Sequence, residues 1–297
     1  MNESKILGAQ TPHFRKTVYA GYAQWHAMKV RVRGAAHVFQ TGQREHFPTA
    51  ANSLELSGKA ISVWRFRTGS PKPSIAEYSS ILSPDERQRA EQFRLDEVRR
   101  SFVLTRFALR SLLGRYLHAD PAKIQFGYGE NGKPALSPES SVRFNVAHSG
   151  GMAVMAFALD CEIGVDVERI RSFAGIADVA ARFFHPDEAA RVDSLALDER
   201  EQAFFDAWVR KEAYLKATGE GLGAGLQDFQ IKSAAPGADL HLERQGQPDD
   251  SWTFHDLQLA PGYAAALAYR DQARDPEISQ LLTFAELEGL LAVQSSR

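Results

Sequence analysis

The chain is poor in cysteine. Its 297 residues contain one, Cys161. A single thiol excludes an internal disulfide and any zinc site built on several cysteines, and it fits a reducing compartment. Cys161 borders a predicted strand, where a small sulfur side chain is expected to pack and not to react. Long apolar runs are missing too. No uninterrupted stretch reaches the roughly 18 residues that a membrane-crossing helix requires. No signal peptide is visible either, so no membrane partner and a cytoplasmic location are expected. Charge of one sign is not in excess. The 35 Lys and Arg residues meet 37 Asp and Glu, a formal net charge of −2, so no global basic field points to nucleic acid. A Gly-x-Ser-x-Gly nucleophile elbow is absent, and His148 and Ser149, adjacent at a strand exit, point apart. Serine-nucleophile catalysis is therefore a poor reading.

What is present is ordinary globular composition. At 44% hydrophobic and 24% charged, the chain can bury a core as one large domain or two moderate ones. Residues 1–56 stand apart as a basic N-terminal extension. Up to Ala50, seven Lys and Arg face two Glu, and four histidines are scattered among them. No period persists there, so the extension is expected to be poorly ordered. A targeting peptide shares the Arg-rich bias but needs an amphipathic helix that is not evident, and Met28 offers a second start.

Beyond the extension, periodicity becomes clear. Ala60–Phe66 alternates as a strand. Gly69–Ser74 reads as a loop. Ser83-Pro84-Asp85-Glu86 carries a helix start, with Ser as N-cap and Glu three residues later. Val98, Phe102, Thr105, Leu109, Leu112 and Tyr116 make one helical stripe. Ile124–Tyr128, Val142–Ala147, Ala153–Leu159 and Glu162–Val167 read as strands. Three helical patterns follow: Ile176–Phe184, one starting near Pro186, and about Glu201–Thr218, which stops at Gly219. Phe229–Ser233, Leu240–Arg244, Trp252–Leu257 and Tyr263–Tyr269 read as strands, and Phe284–Leu291 as a terminal helix. This order is not a regular βα alternation and predicts an α+β fold.

The chemistry concentrates between Phe144 and Lys216. Asp166 and Glu168 are two apart on a strand, hence on one face, where they repel unless a cation lies between them. Hard oxygens of this kind suit Mg²⁺, which takes substrate phosphate oxygens as further ligands; the alternative is a solvated edge-strand pair. Glu212 and Lys216 are four apart on a helix, one turn beyond Trp208. They form either an ordinary surface pair or the charged rim of a cleft. His148 lies where a strand breaks into Ser149-Gly150-Gly151, and glycine there permits close backbone approach to a ligand. Asn131-Gly132-Lys133-Pro134 is a turn offering one cation.

Taken in order, these pieces resemble one family. Gly132-Lys133-Pro134, then Phe144-Asn145-Val146-Ala147-His148-Ser149, then Gly164-Val165-Asp166-Val167-Glu168, then Trp208 to Lys216 are similar to the ordered motifs of the Sfp-type 4′-phosphopantetheinyl transferases. The resemblance covers about residues 60–270. Ser83-Pro84-Asp85-Glu86-Arg87 and Arg99-Arg100-Ser101 look like the family's first helices. It implies two similar α/β halves in pseudo-two-fold arrangement with the active site between them. The halves would be 57–160 and 161–273, followed by a tail, 274–297. It also implies the reaction: the 4′-phosphopantetheine arm of coenzyme A passes to a serine of an apo acyl or peptidyl carrier protein, releasing 3′,5′-ADP.

By the same resemblance, Asp166, Glu168 and Glu212 would hold Mg²⁺, or Mn²⁺, on the diphosphate. Lys216 and His148 would touch diphosphate oxygens. Arg100 and Ser101, with Arg89, would hold the 3′-phosphate, and Lys133 and Pro134 would lie near the nucleotide. Glu212 is the candidate base and Lys216 the group that neutralises or protonates the leaving nucleotide. Two departures stand out. Ala147 replaces a family serine that could touch coenzyme A, and Glu86 stands where some members have a lysine facing the 3′-phosphate. Ala180–Phe184 and the Arg182/Arg191 region are expected to receive the carrier. One chain supplies both sides of the cleft, so a monomer suffices. A metal phosphohydrolase and a non-catalytic carrier binder are the rival readings. The carrier's pathway (fatty acid, polyketide, nonribosomal peptide or lysine) is left open.

Overall fold

A computed structural model describes residues 56, 58, 60–68, 75–221, 225–233, 238–271 and 274–282. The extension up to residue 55, the Gly69–Ser74 loop and the expected Phe284–Leu291 helix lie outside the described residues. The described strands are β1 (Ala60–Arg67), β2 (Gln125–Tyr128), β3 (Pro134–Ser137), β4 (Val142–Ser149), β5 (Met152–Leu159), β6 (Ile163–Arg169), β7 (Phe229–Ser233), β8 (Leu240–Arg244), β9 (Gln247–Asp249), β10 (Thr253–Asp256), β11 (Tyr263–Tyr269) and β12 (Asp275–Leu282). The α-helices are α1 (Ile75–Tyr78), α2 (Pro84–Glu91), α3 (Asp96–Tyr116), α4 (Ile176–Phe183), α5 (Pro186–Ser194) and α6 (Leu197–Thr218).

Alternation along the strands builds four layers. In β1, Trp64 and Phe66 face one way, onto α3, with Phe144, Met155 and Phe157. Ile61 and Val63 face the other way, onto Val165, Val167, Ala265 and Leu267 of a second sheet. That second sheet turns Ala264, Ala266 and Ala268 toward the Phe204, Phe205 and Trp208 side of α6. The order is therefore α3, sheet β12-β1-β5-β4, sheet β10-β11-β6, α6. Each sheet buries one face on a long helix and the other on its counterpart, which is why the central strands β5 and β11 read as nearly continuous apolar runs. The α+β expectation is met. β2–β3 and β7–β8–β9 are smaller accessory sheets.

The C-terminal strand was not legible in the sequence. β12 returns to the first sheet and runs parallel to β1, with Ala60 opposite Asp275 and Phe66 opposite Leu282. Pro276 and the polar Glu277, Ser279 and Gln280 hide it. Such residues are tolerated there because β12 is an edge strand.

Glu86 also corrects an expectation. It is 2% exposed and takes Nε–H bonds from Arg106 and Arg110, each at 2.6 Å, while accepting from the Ser83 backbone N–H at 3.0 Å. Arg110 in turn donates to the Pro121 and Ile124 carbonyls. Position 86 is thus the buried hub of the α2–α3 packing. It does not face a phosphate.

Candidate active site at the seam of beta6 and alpha6

The Gly-Val-Asp-Val-Glu stretch occupies β6. Its odd valines enter the core between the sheets, so Gly164, Asp166 and Glu168 take the face toward α6. Gly164 is where helix and strand touch: a Cβ built there would lie 2.0 Å from the Ala213 carbonyl oxygen and 2.4 Å from the Ala217 nitrogen. This close approach brings the last turns of α6 over Asp166. Lys216 Nζ donates to Asp166 Oδ1 at 2.6 Å and to the Val165 carbonyl at 3.4 Å. Glu212, one turn earlier, is 6% exposed. The Glu212–Lys216 pair is therefore the lining of a buried seam and not a solvated surface pair. Burial draws the Lys216 pKa down, but Asp166, Glu212 and Glu168 together raise it above the ordinary lysine value. The ammonium stays charged.

The first half closes the seam from the side. Asn145 Oδ1 accepts from the Val165 N–H at 3.0 Å. Ser149 Oγ donates to Glu168 Oε2 at 2.6 Å and accepts from the Arg169 N–H at 3.3 Å. These two side chains lie within the quoted motif, but nothing in their spacing announced that they bridge the halves. Gly150 adopts φ +55° and lies against the Arg169 side chain, and its carbonyl accepts from Tyr263 Oη at 2.6 Å.

The other expected site residues fall into two groups. His148 is exposed on the opposite face of β4 from Ser149. Ser101, in the first turns of α3, has its Oγ 3.1 Å from Thr68 Oγ1, and Thr68 N–H donates to the Gly151 carbonyl at 2.8 Å. Ser101 is thereby brought to the strand end that carries His148, with Arg100 half-buried beside it. Arg89 is exposed, its guanidinium 5.7 Å from the centre of the Phe102 ring. Pro134 opens β3 and is half-buried.

In three places the expected side chains turn into the protein. Ala147 is 5% exposed and packs in the core between the sheets, so its side chain cannot stand in for a ligand hydroxyl. Lys133 turns inward: Nζ donates to the Ala217 carbonyl at 2.6 Å and to the Ile163 carbonyl at 3.4 Å. Burial pulls its pKa down to about 8, with Glu162 opposing and Arg143 reinforcing. Ala180 and Phe184, expected at a carrier-receiving rim, are core residues of the second half; Arg182 and Arg191 are exposed.

Lys211, whose role does not follow from its spacing, is fully buried. It pairs with Glu188 at 2.7 Å, donates to the Leu226 and Phe229 carbonyls, and lies 4.2 Å from the centre of the Phe229 ring. It fixes α6 to the segment leading into β7. A cleft of about 590 Å³ opens beside the loop 257–263, lined by Arg65, Gln202, Asp206, Asp256 and Tyr263, none of them an expected site residue.

Among the described residues, no group of three or more His, Cys, Asp and Glu side chains is gathered as a closed metal site. Asp166 turns to Lys216 and Glu168 to Ser149. The donor set is nevertheless right in kind for Mg²⁺, which needs only one or two protein carboxylates and completes its shell with water and phosphate oxygens.

A family model described as the 4′-phosphopantetheinyl transferase superfamily matches residues 162–268, and one for the N-terminal part of 4′-phosphopantetheinyl transferases matches residues 69–159. The 4′-phosphopantetheinyl transferase HetI of Nostoc sp. is 37% identical over 182 residues, covering 60% of this chain and 76% of that protein. The chain belongs to the 4′-phosphopantetheinyl transferase superfamily. The 4′-phosphopantetheinyl transferase Sfp of Bacillus subtilis is 29% identical over 217 residues, covering 72% of this transferase and 92% of that one. The human L-aminoadipate-semialdehyde dehydrogenase-phosphopantetheinyl transferase is 27% identical over 248 residues, covering 75% of this chain and 79% of that protein.

 The transferase moves a 4′-phosphopantetheine group from coenzyme A to carrier proteins. Among its described residues, no helix is long and apolar enough to cross a membrane.

Proposed function

We propose that this chain performs the transfer at the seam between β6 and α6, releasing 3′,5′-ADP in a Mg²⁺-dependent reaction. The observation that carries the reading is the Lys216–Asp166 contact at 2.6 Å, with the buried Glu212 and Glu168 beside it. A partly exposed ammonium held charged beside three carboxylates is an arrangement that suits a polyanionic diphosphate once a metal offsets the acids. Asp166, Glu168 and Glu212 are the oxygen donors that would hold Mg²⁺, or Mn²⁺. When bound, the metal neutralises the diphosphate and stabilises charge on the departing phosphate.

The chain's own residues then have separate tasks. A carrier serine is a weak nucleophile and needs a base; Glu212 accepts its proton, directly or through water. Lys216 is charged and stands ready to neutralise the leaving 3′,5′-ADP. Arg100 and Ser101, at the strand end shared with His148, take the 3′-phosphate, with Arg89 outside them. His148 contacts the diphosphate from its exposed position. The halves 57–160 and 161–273 both contribute, so one chain builds the site, and a cytoplasmic monomer is the simplest working form.

The test is intact-mass spectrometry of apo carrier proteins mixed with the protein and coenzyme A, with Mg²⁺ or with chelator. One added phosphopantetheine arm, lost with chelator, is the expected result. No gain on several carrier types by folded protein that binds coenzyme A would overturn the proposal. Release of 3′,5′-ADP without a carrier would mark a hydrolase.

A further inference from the structure

The turn before β3 reaches out of the first half to the end of α6. It is closed by its own backbone: Gly129 N–H donates to the Lys133 carbonyl and Gly132 N–H to the Gly129 carbonyl, both at 2.9 Å. From this base two side chains extend. Lys133 Nζ donates to the Ala217 carbonyl at 2.6 Å, and Asn131 Nδ2 donates to the Gly219 carbonyl at 2.9 Å. Gly221 lies against Asn131 so closely that an added Cβ would be 3.2 Å from its Cβ.

The end of a helix leaves carbonyls without intrahelical donors and carries partial negative charge. α6 ends with Gly219 in the left-handed conformation, its N–H donating to the Leu215 carbonyl. Lysine near such an end can satisfy a carbonyl and complement the dipole. Here the lysine comes from the other half of the molecule. Ala217, which it holds, directly follows Lys216, whose ammonium meets Asp166. Lys133 also donates to Ile163 at 3.4 Å, while Lys216 donates to Val165, so the two lysines grip β6 two residues apart.

We infer that Lys133 is a positioning residue of the transferase: by capping the last turn of α6 from the opposite half, it holds Lys216 over Asp166 and does not bind the nucleotide. Asn131 is the second pin of the same latch. The inference rests on the proposal that Lys216 serves the reaction.

The test separates kcat from KM in Lys133→Met, with hydrogen exchange of the full chain as an independent readout. Loss of the cap lets the last turn shift, and a displacement near 1 Å costs on the order of 10²-fold in rate. The expected result is a ~10- to 100-fold fall in kcat at nearly unchanged KM and Kd for coenzyme A. Amides 214–219 exchange faster, and Lys133→Arg restores most of kcat. A rise in KM and Kd for coenzyme A with kcat kept would overturn the inference, because that is the signature of a nucleotide ligand. If Lys133→Met does not fold, Asn131→Ala removes one pin alone and is expected to lower kcat and speed the same amides to a smaller degree; unchanged values would overturn the latch. Lys216→Met is the control. Unaffected kcat there would remove the role assigned to Lys216. A large loss there, with Lys133→Met behaving as wild type, would remove the latch alone.

Discussion

Gly164→Ala is the sharpest structural perturbation available. The added methyl would lie 2.0 Å from the Ala213 carbonyl oxygen, 2.4 Å from the Ala217 nitrogen and 3.0 Å from its Cα. All three are backbone atoms, so no side chain can swing aside. Real Cβ contacts essentially never fall below 3.0 Å, so the helix and strand must separate by about 1 Å (3.0 − 2.0) at least. The strand has no room to retreat, because Val165 and Val167 on its other face are at most 1% exposed in the core between the sheets. Overpacking of this kind costs about 1–3 kcal/mol of stability. The same separation would draw Lys216 and Glu212 away from Asp166, and a misplacement of ~1 Å can lower the rate on the order of 10²-fold. Urea denaturation reports the first effect and carrier-loading kinetics under saturating coenzyme A the second. A Gly164→Ala variant with wild-type stability and wild-type kcat would refute the claim that helix and strand are locked in contact at this point.

Three further outcomes follow from the same geometry. Glu212→Gln should remain folded and lose at least ~10²-fold in turnover, the scale of one general base; near-wild-type turnover in steady-state kinetics would take that role from Glu212. Glu86→Ala leaves the buried Arg110 without its carboxylate and should destabilise by about 3–5 kcal/mol in denaturant titration, with coenzyme A affinity little changed. A large loss of affinity without loss of stability would return Glu86 to the ligand site. The native Lys133 pKa, about 8 against the ordinary 10.5, gives a signed dependence on pH. Burial lowers it, Glu162 opposes and Arg143 adds to the shift. Below about pH 8 both states hold the proton and the burial penalty is present in full. Between pH 8 and 10.5 the unfolded chain holds a proton that the native one has lost, so stability rises with pH. Denaturant titrations across that window should therefore show wild type gaining on Lys133→Met; parallel profiles would contradict the shift.

Much of the fold was legible because local patterns and tertiary burial agree. The α3 stripe is anchored at Thr105, Leu109 and Leu112, all at most 3% exposed, and Gly164 to Glu168 alternates as a strand with two distinct faces. β12 was not legible, since an edge strand that begins Asp-Pro carries little apolar signal. At the candidate site, the two acids of β6 and the Glu212–Lys216 spacing pointed to two elements that the structure packs together, with Lys216 on Asp166. The directions of Lys133, Ala147 and Glu86 did not follow from spacing. Each depends on which carbonyl, core face or arginine lies across from it, and a sequence pattern gives a residue's own face without naming the neighbour on it. The bridges from Asn145 and Ser149 to β6 were hidden for the same reason.

The most direct test of the proposed site is to locate the metal and the diphosphate. A crystal grown with coenzyme A and Mn²⁺ gives an anomalous signal that marks the ion independently of any assumed coordination. The account expects that signal beside the carboxylates of Asp166, Glu168 and Glu212, with the coenzyme A diphosphate against it and the Lys216 ammonium in contact. An ion and diphosphate bound away from the β6–α6 seam would contradict it.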